Sequence, residues 1–257
     1  MVGIFDSGIG GLTVLRRLWD IAPNLDVCYF GDTVNVPYGT RATEDLEHLT
    51  LRAMRLLRRE GATTLVSACH SVSASVIRPM LTLFGMSGSG IVEMVGPVTT
   101  ALVEERPGRI VIAMTEATAR SRAYEEGFGT YGITPQVIAC NDLAPAMERG
   151  ASPVTIAAIV DRVVADAITL GCDTFILGCT HFPFARDYFA TAFTARGASV
   201  RVVDPATYVA DVVTGTATGV GTGRGRFLLS RDSDVLRSIV AREFSGHERT
   251  IEVLDDR

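Results

Sequence analysis

The sequence predicts an α/β protein of two pseudo-symmetric lobes, each a mainly parallel sheet flanked by helices, with the functional site in the cleft between them. Three observations predict it. Short apolar runs alternate with amphipathic stretches along nearly the whole chain, the pattern of parallel sheets with helices on both faces. Three pairs of strand ends recur at an offset of 109–110 residues, as if one α/β unit were duplicated. The length of 257 residues, with 47% hydrophobic and 21% charged residues, suits one large or two smaller packed units.

The elements follow in order. "VGIFDSG" is a strand from residue 2 that ends at Asp6-Ser7-Gly8, and Leu12, Val14, Leu15, Leu18 and Ile21 then recur at helical spacing. "LDVCYFGDT" is a second buried strand. "TEDLEHLTLRAMRLLRREG" is an amphipathic helix with Thr43 as N-cap, acids early, bases late and Gly61 as its stop. "TTLVSAC" is a third strand, and "SASVIRPML" opens another helix. The second half repeats the alternation: "RIVIAMTEAT" strand, "ARSRAYEEGFG" helix, "TPQVIACND" strand, "PVTIAAIVDRVVADAITLG" helix, "CDTFILGCTH" strand, "FARDYFATAFTARG" helix and "SVRVVDPA" strand. The Gly/Thr-rich stretch 214–226 reads as a loop. "FLLSRDSDVLRSIVAREFSG" is a strand, a turn and a helix that complete the first lobe. The lobes are expected at 1–95 plus 207–257 and at 96–206.

The repeated offset joins Asp6 to Thr115, Asp32 to Asp142, and Cys69 to Cys179. Ligands of open α/β sheets bind beyond the C-terminal strand ends. Facing lobes would therefore bring Cys69 and Cys179 to one cleft. A lone buried cysteine is inert in most proteins, but two at matched strand ends, each followed by small polar residues, argue for chemistry. Opposed thiols suit inversion of a carbon centre, one taking a proton from one face and the other giving a proton to the opposite face. A free thiol has a pKa near ~8.5, and a helix N-terminus after each cysteine is expected to lower it. His181 and Asp6 are placed to help move protons.

Other chemistries fit less well. "DSGIGGLT" imitates a dinucleotide fingerprint, but its third position is Thr13 and Asp6 would repel a pyrophosphate. Its glycines are expected instead to let backbone amides meet a small carboxylate at a helix N-terminus. Arg186 stands seven residues after Cys179, one too many for a cysteine-phosphatase loop. A Cys–His–Asp hydrolase lacks a nucleophile elbow. Net charge is −5 without a basic block, which disfavours nucleic acid. No apolar run of roughly 18 residues suggests a membrane span, and a strand from residue 2 leaves no room for a signal peptide. Five cysteines, an odd number, argue against a disulfide framework, and the lack of a CxxC pair argues against structural zinc. Cys28 and Cys172 read as packing residues, Cys140 ends a strand with no assigned chemistry, and His48 and His247 read as solvated.

"GIFDSGIGGLTVL", "YFGDTVNVPYGTR", "SACHSVSAS" and "LGCTHFP" together resemble the glutamate racemase family of the aspartate/glutamate racemase superfamily, and the resemblance runs through "ACNDLAPAMERG" and "VVDPATYVA" to the closing segment. It implies a cytoplasmic, cofactor-independent and metal-free isomerase that interconverts L- and D-glutamate for peptidoglycan, working as a homodimer. By motif, Cys69 and Cys179 match the paired acid/base residues. Asp6 and Ser7 match a proton-assisting and substrate-binding pair. Pro37, Tyr38 and Gly39 match a pocket-lining segment, and Thr180 and His181 match the CTH segment. Thr118 and Glu148 fall where the family places a substrate-contacting threonine and a glutamate supporting the histidine. The sequence departs from the family's Cys-Asn-Thr with Cys69-His70-Ser71, and from its Cys-Pro with Cys140-Asn141. Ser71 can replace a hydroxyl. His70, counted with Ser71 among the substrate-binding residues, is larger than asparagine, can still donate a hydrogen bond or point away as a structural side chain, and brings the substrate into question. The short N-terminus is not expected to carry an activator site. Two rival readings follow: a racemase of aspartate or another amino acid, and a weakly active paralogue that acts by binding a protein.

Overall fold

The computed structural model describes residues 1–85, 90–217 and 221–254. Strands β1 (Val2–Asp6), β2 (Val27–Gly31), β3 (Thr64–Ser67), β4 (Ile91–Val92), β9 (Gly225–Leu229) and β10 (Arg249–Val253) form one sheet, in the order β10-β9-β2-β1-β3-β4. Strands β5 (Ile110–Met114), β6 (Gln136–Ala139), β7 (Thr174–Gly178) and β8 (Arg201–Val203) form another, in the order β6-β5-β7-β8. The described pairings are parallel. β2-β1-β3-β4 and β6-β5-β7-β8 have the same winding, so the repeated strand ends of the sequence are topologically equivalent. In each sheet the chain leaves the first strand to one side and returns to the other. A crevice opens at such a switch point, beyond the strands' C-termini.

Strand alternation builds the core. In the first sheet Val2, Ile4, Val27, Tyr29 and Val66 pack with helices Leu12–Ile21, Ala206–Thr216 and Asp234–Glu243. The intervening Phe5, Cys28, Phe30 and Leu65 pack on the opposite face with helix Thr43–Arg59. The second sheet does the same: Val111, Ala113, Phe175 and Leu177 meet helices Pro153–Thr169 and Arg186–Ala195, while Ile110, Ile112, Met114 and Ile176 meet helices Gly96–Glu104 and Ala123–Gly129. Both faces are covered, which is why these strands read as continuous apolar runs.

Several local expectations are corrected. Helix Thr43–Arg59 begins at Thr43 itself, capped by the backbone of Ala42 with no side-chain cap bond. "ARSRAYEEGFG" is not one helix: Glu116–Ser121 and Ala123–Gly129 are separated by Arg122 at φ +55°. Residues 214–216 end a helix and 225–226 begin β9, while 218–220 lie outside the described residues. His247 is not simply solvated. Its ring stacks on Trp19 at 3.9 Å, and its Nδ1 donates to the Gly223 carbonyl at 3.0 Å. Helices Gly96–Glu104, Leu143–Glu148 and Ala206–Thr216 and strands β4 and β10 are additional. Among the described residues no helix is long and apolar enough to cross a membrane.

Candidate active site

The C-terminal ends of β1, β3, β5 and β7 converge on one cavity of about 30 Å³. β1 delivers Asp6 and Ser7, β3 delivers Cys69, β5 delivers Thr115, and β7 delivers Cys179, Thr180 and His181. The two cysteines are 5% and 6% exposed. Of the residues anticipated from sequence, Ser7, Pro37, Tyr38, Gly39, Cys69, His70, Ser71, Glu148, Cys179, Thr180 and His181 line the cavity. Asp6 and Thr118 stand one layer behind the wall. Asp6 accepts a hydrogen bond from the Thr180 hydroxyl at 3.2 Å, and the Thr118 hydroxyl lies 3.0 Å from that of Thr115.

Thr115, Val36, Thr40, Asn141, Ala144 and Pro145 complete the wall. Thr115 is the residue that sequence reasoning passed over. The offset pairing it with Asp6 was the available signal. Its hydroxyl lies 3.0 Å from that of Ser71, so the two lobes touch at the cavity edge. Arg186 is exposed and lies outside the cavity.

Two amides of the glycine-rich turn after β1 are taken by the protein's own carboxylates: Gly8 N–H donates to Asp6 Oδ2 at 2.9 Å, and Ile9 N–H donates to Glu148 Oε1 at 2.8 Å. The Tyr29 hydroxyl donates to the Gly8 carbonyl at 2.6 Å and buttresses the turn from below. There is no room for larger residues: a Cβ on Gly10 would lie 2.6 Å from both His181 Nδ1 and Thr180 Oγ1. On the far wall the Tyr38 hydroxyl donates to Asp32 at 2.6 Å, holding the ring over the cavity.

The two thiols have different surroundings. Burial pushes the Cys69 thiol up, Asp6 pushes it further, and the Val72 and Ser71 amides recover only part. The expected lowering by a helix N-terminus therefore fails at Cys69. The helix there, His70–Val72, has a single turn before it widens into the π-helical stretch Ser73–Ile77, and desolvation outweighs its few amides. Asp6 is also raised by burial, with His181 and the Gly8 amide opposing. Cys179 has a different neighbour, His181, whose Nδ1 lies 3.8 Å from the sulfur and whose Nε2 lies 2.7 Å from Glu148 Oε1. Burial disfavours charge on His181, but the bonds to Cys179 and Glu148 hold its pKa well above the ordinary value. Burial likewise lifts Glu148, and its bond to His181 overrides this and lowers it. The result is a buried imidazolium–carboxylate pair beside Cys179 and a carboxyl behind Cys69. Titratable groups set apart in this way are what proton shuttling between two sites requires.

Cys28 and Cys172 are buried in the core, each thiol pushed up to about 12 by desolvation. Cys140 is bonded to Asp142 at 3.4 Å, and desolvation likewise pushes it up to about 12.

Residues 13–213 match the family model described as Asp/Glu/hydantoin racemase. The chain is 34% identical over 241 residues to glutamate racemase 3 of Caldanaerobacter subterraneus subsp. tengcongensis, covering 90% of this chain and 85% of that protein. It is 38% identical over 185 residues to a glutamate racemase of Saccharopolyspora erythraea, covering 71% and 67%. In three dimensions it is similar to a glutamate racemase of Thermus thermophilus in complex with β-chloro-D-alanine, with a TM-score of 0.81 and 26% identity over 99% of this chain and 96% of that one.

Proposed function

The chain belongs to the Asp/Glu/hydantoin racemase family, and on that premise we propose that it interconverts L- and D-glutamate without a cofactor, using Cys69 and Cys179 as paired acid and base. The observation that carries the reading is the convergence of two buried thiols on one cavity from equivalent strand ends of two lobes. One thiolate takes the Cα proton of the substrate, forming an S–H bond, and the opposed thiol gives its proton to the other face. The substrate leaves as its mirror image, and the two sulfurs have exchanged roles. Each sulfur is served by its own proton partner. His181, held by Glu148, exchanges a proton with Cys179 across 3.8 Å. The Asp6 carboxyl, raised by burial, does so on the Cys69 side. Ser7, Ser71, Thr115 and Thr180 offer hydroxyls to the substrate's polar groups. The product serves peptidoglycan in the cytoplasm, and the working unit is a homodimer, as the resemblance of the sequence implies.

The test is chiral analysis of L-glutamate turnover in D2O, free of pyridoxal phosphate and metal ions. The parent chain should racemise it with deuterium entering at Cα. Cys69→Ala and Cys179→Ala should each abolish racemisation. Parental rates in both single variants would rule out the two-thiol mechanism.

His70 in the cavity wall favours one second reading, a different amino acid such as aspartate. A panel of L-amino acids ranked by kcat/KM decides between them.

A further inference from the structure

His70 is a residue of the cavity wall whose hydrogen bonds do not close within the protein. It is 2% exposed. Its Nε2 lies 3.1 Å from the hydroxyl of Tyr124, which comes from the other lobe, and the two rings stack at 6.1 Å. Its Nδ1 is buried and has no partner among the described residues. Tyr124 is 1% exposed, and among the described residues its hydroxyl bonds to His70 alone.

These contacts select a tautomer. If Nε2 carried the proton and donated to Tyr124, both the phenol hydrogen and the Nδ1 lone pair would be buried without partners. If the phenol donates to Nε2, the proton sits on Nδ1, and what is left over is that N–H and the weak lone pair of the phenol oxygen. Each arrangement makes one bond, and the second makes the stronger one, because the phenol is the better donor and the imidazole nitrogen the better acceptor. Desolvation keeps the ring neutral, holding its pKa down to about 3, so no second ring proton competes. His70 lines the cavity and this buried N–H has no acceptor among the described residues, so a bound ligand is the acceptor open to it. The ammonium group of an amino acid has no acceptor to offer, and its carboxylates do.

We propose that His70 Nδ1–H is a substrate-binding donor to a carboxylate of the bound amino acid, with Tyr124 as the positioning residue that fixes its tautomer. This rests on the racemase reading for the kind of ligand, but the choice of atom and tautomer belongs to this chain. The ring is a neutral donor supported from the opposite lobe, so ligand capture through His70 also engages the lobe contact.

The test begins with 15N-histidine labelling of the intact protein, with His70→Asn identifying the His70 signals among four histidines. In the ligand-free protein the proton should be found on Nδ1. Saturation with glutamate should shift that Nδ1–H signal. Tyr124→Phe should release the ring to a mixture of tautomers. In steady-state kinetics His70→Leu should raise KM for glutamate roughly 10- to 100-fold, the loss expected of a hydrogen bond to a charged group, with a smaller fall in kcat. His70→Asn, which restores an N–H donor, should recover most of it. A proton found on Nε2, or an Nδ1–H signal unmoved by saturating glutamate, overturns the proposal. An unchanged tautomer in Tyr124→Phe overturns the role of Tyr124. The spectrum of the free protein needs no turnover. A chain that fails to racemise glutamate therefore sinks the racemase reading while the tautomer is still decided.

Discussion

Glu148 and His181 form a buried pair beside the thiol of Cys179. The ordinary histidine value is 6.5, and here the folded value stands well above it because the bonds to Cys179 and Glu148 outweigh burial. The Glu148→Gln variant keeps the shape and removes the charge. The His181 titration, followed by NMR, should then move down towards or below the ordinary value, and kcat should fall by up to about 100-fold as the imidazolium is lost at neutral pH. The stability consequence has a defined window. The histidine's share is fully present below pH 6.5 and is lost as pH rises through the raised folded value. The carboxylate's share is present above 4.5 and is lost as pH falls through the lowered folded value. The stability gap between parent and variant in urea unfolding should be widest between these limits. A gap that does not change with pH would mean the pair is uncharged. Both cysteines, Asp6 and His181 were legible in the sequence as possible partners because one offset relates their strand ends. Tyr124 was not, because its meeting with His70 spans 54 residues and crosses between lobes, which no local pattern encodes.

At the scale of elements, the long-buried strands were legible because a sheet covered on both faces leaves an uninterrupted apolar signature. β10 escaped notice for the opposite physical reason. It is an edge strand with Arg249, Thr250 and Glu252 among only two apolar residues, and Glu252 pairs outward with Arg226 on β9. Helix Gly96–Glu104 was hidden by a start at Gly96-Pro97, which reads as a turn although proline is well accommodated in a first helical turn. The turn after β1 is an element whose glycines are demanded by its neighbours, and a matched pair of substitutions tests this. In Gly10→Ala the new methyl would sit 2.6 Å from His181 and Thr180, both carried by the other lobe. The expected result is a loss of about 1–3 kcal/mol of stability and a fall in kcat/KM larger than stability explains. Gly129→Ala, in helix Ala123–Gly129 with nothing within 4 Å, should be neutral or stabilise by about 0.4–1 kcal/mol. Thermal melts with kinetics on the same samples check both, and equal effects at the two sites would remove the steric argument.

For the molecule as a whole, the cavity and the proposed substrate do not match in size unless the lobes move. About 30 Å³ holds little more than a water molecule, not a five-carbon amino acid. The cavity is ringed by bonds from one lobe to the other: Ser71 to Thr115, Thr180 to Asp6, Ile9 N–H to Glu148, and Ala117 N–H to the Gly39 carbonyl at 2.8 Å. Each sheet has its own two core clusters, and among the side chains that cross the seam Ala74 packs with the second sheet's core and Ala117 with the first's, so parting there leaves most of each core in place. Substrate entry then requires an opening that breaks a few polar bonds but no strand pairing. Opening of that kind is far less costly than unfolding, and it is visible in amide exchange. The amides of Ile9 and Ala117 are the natural reporters, because each donates across the seam. In the free protein both should exchange faster than the amides of Ile4 and Ile112, which sit inside the sheets. Saturating glutamate should slow both seam amides and leave the sheet amides unchanged, because the ligand holds the seam closed without adding to the cores. If the seam amides exchange as slowly as the strand amides, the lobes do not part independently. If instead only Ile9 is slow, while Ala117, bonded to Gly39, still exchanges fast, the ligand enters by movement of the half-exposed segment 34–41 with the lobes together.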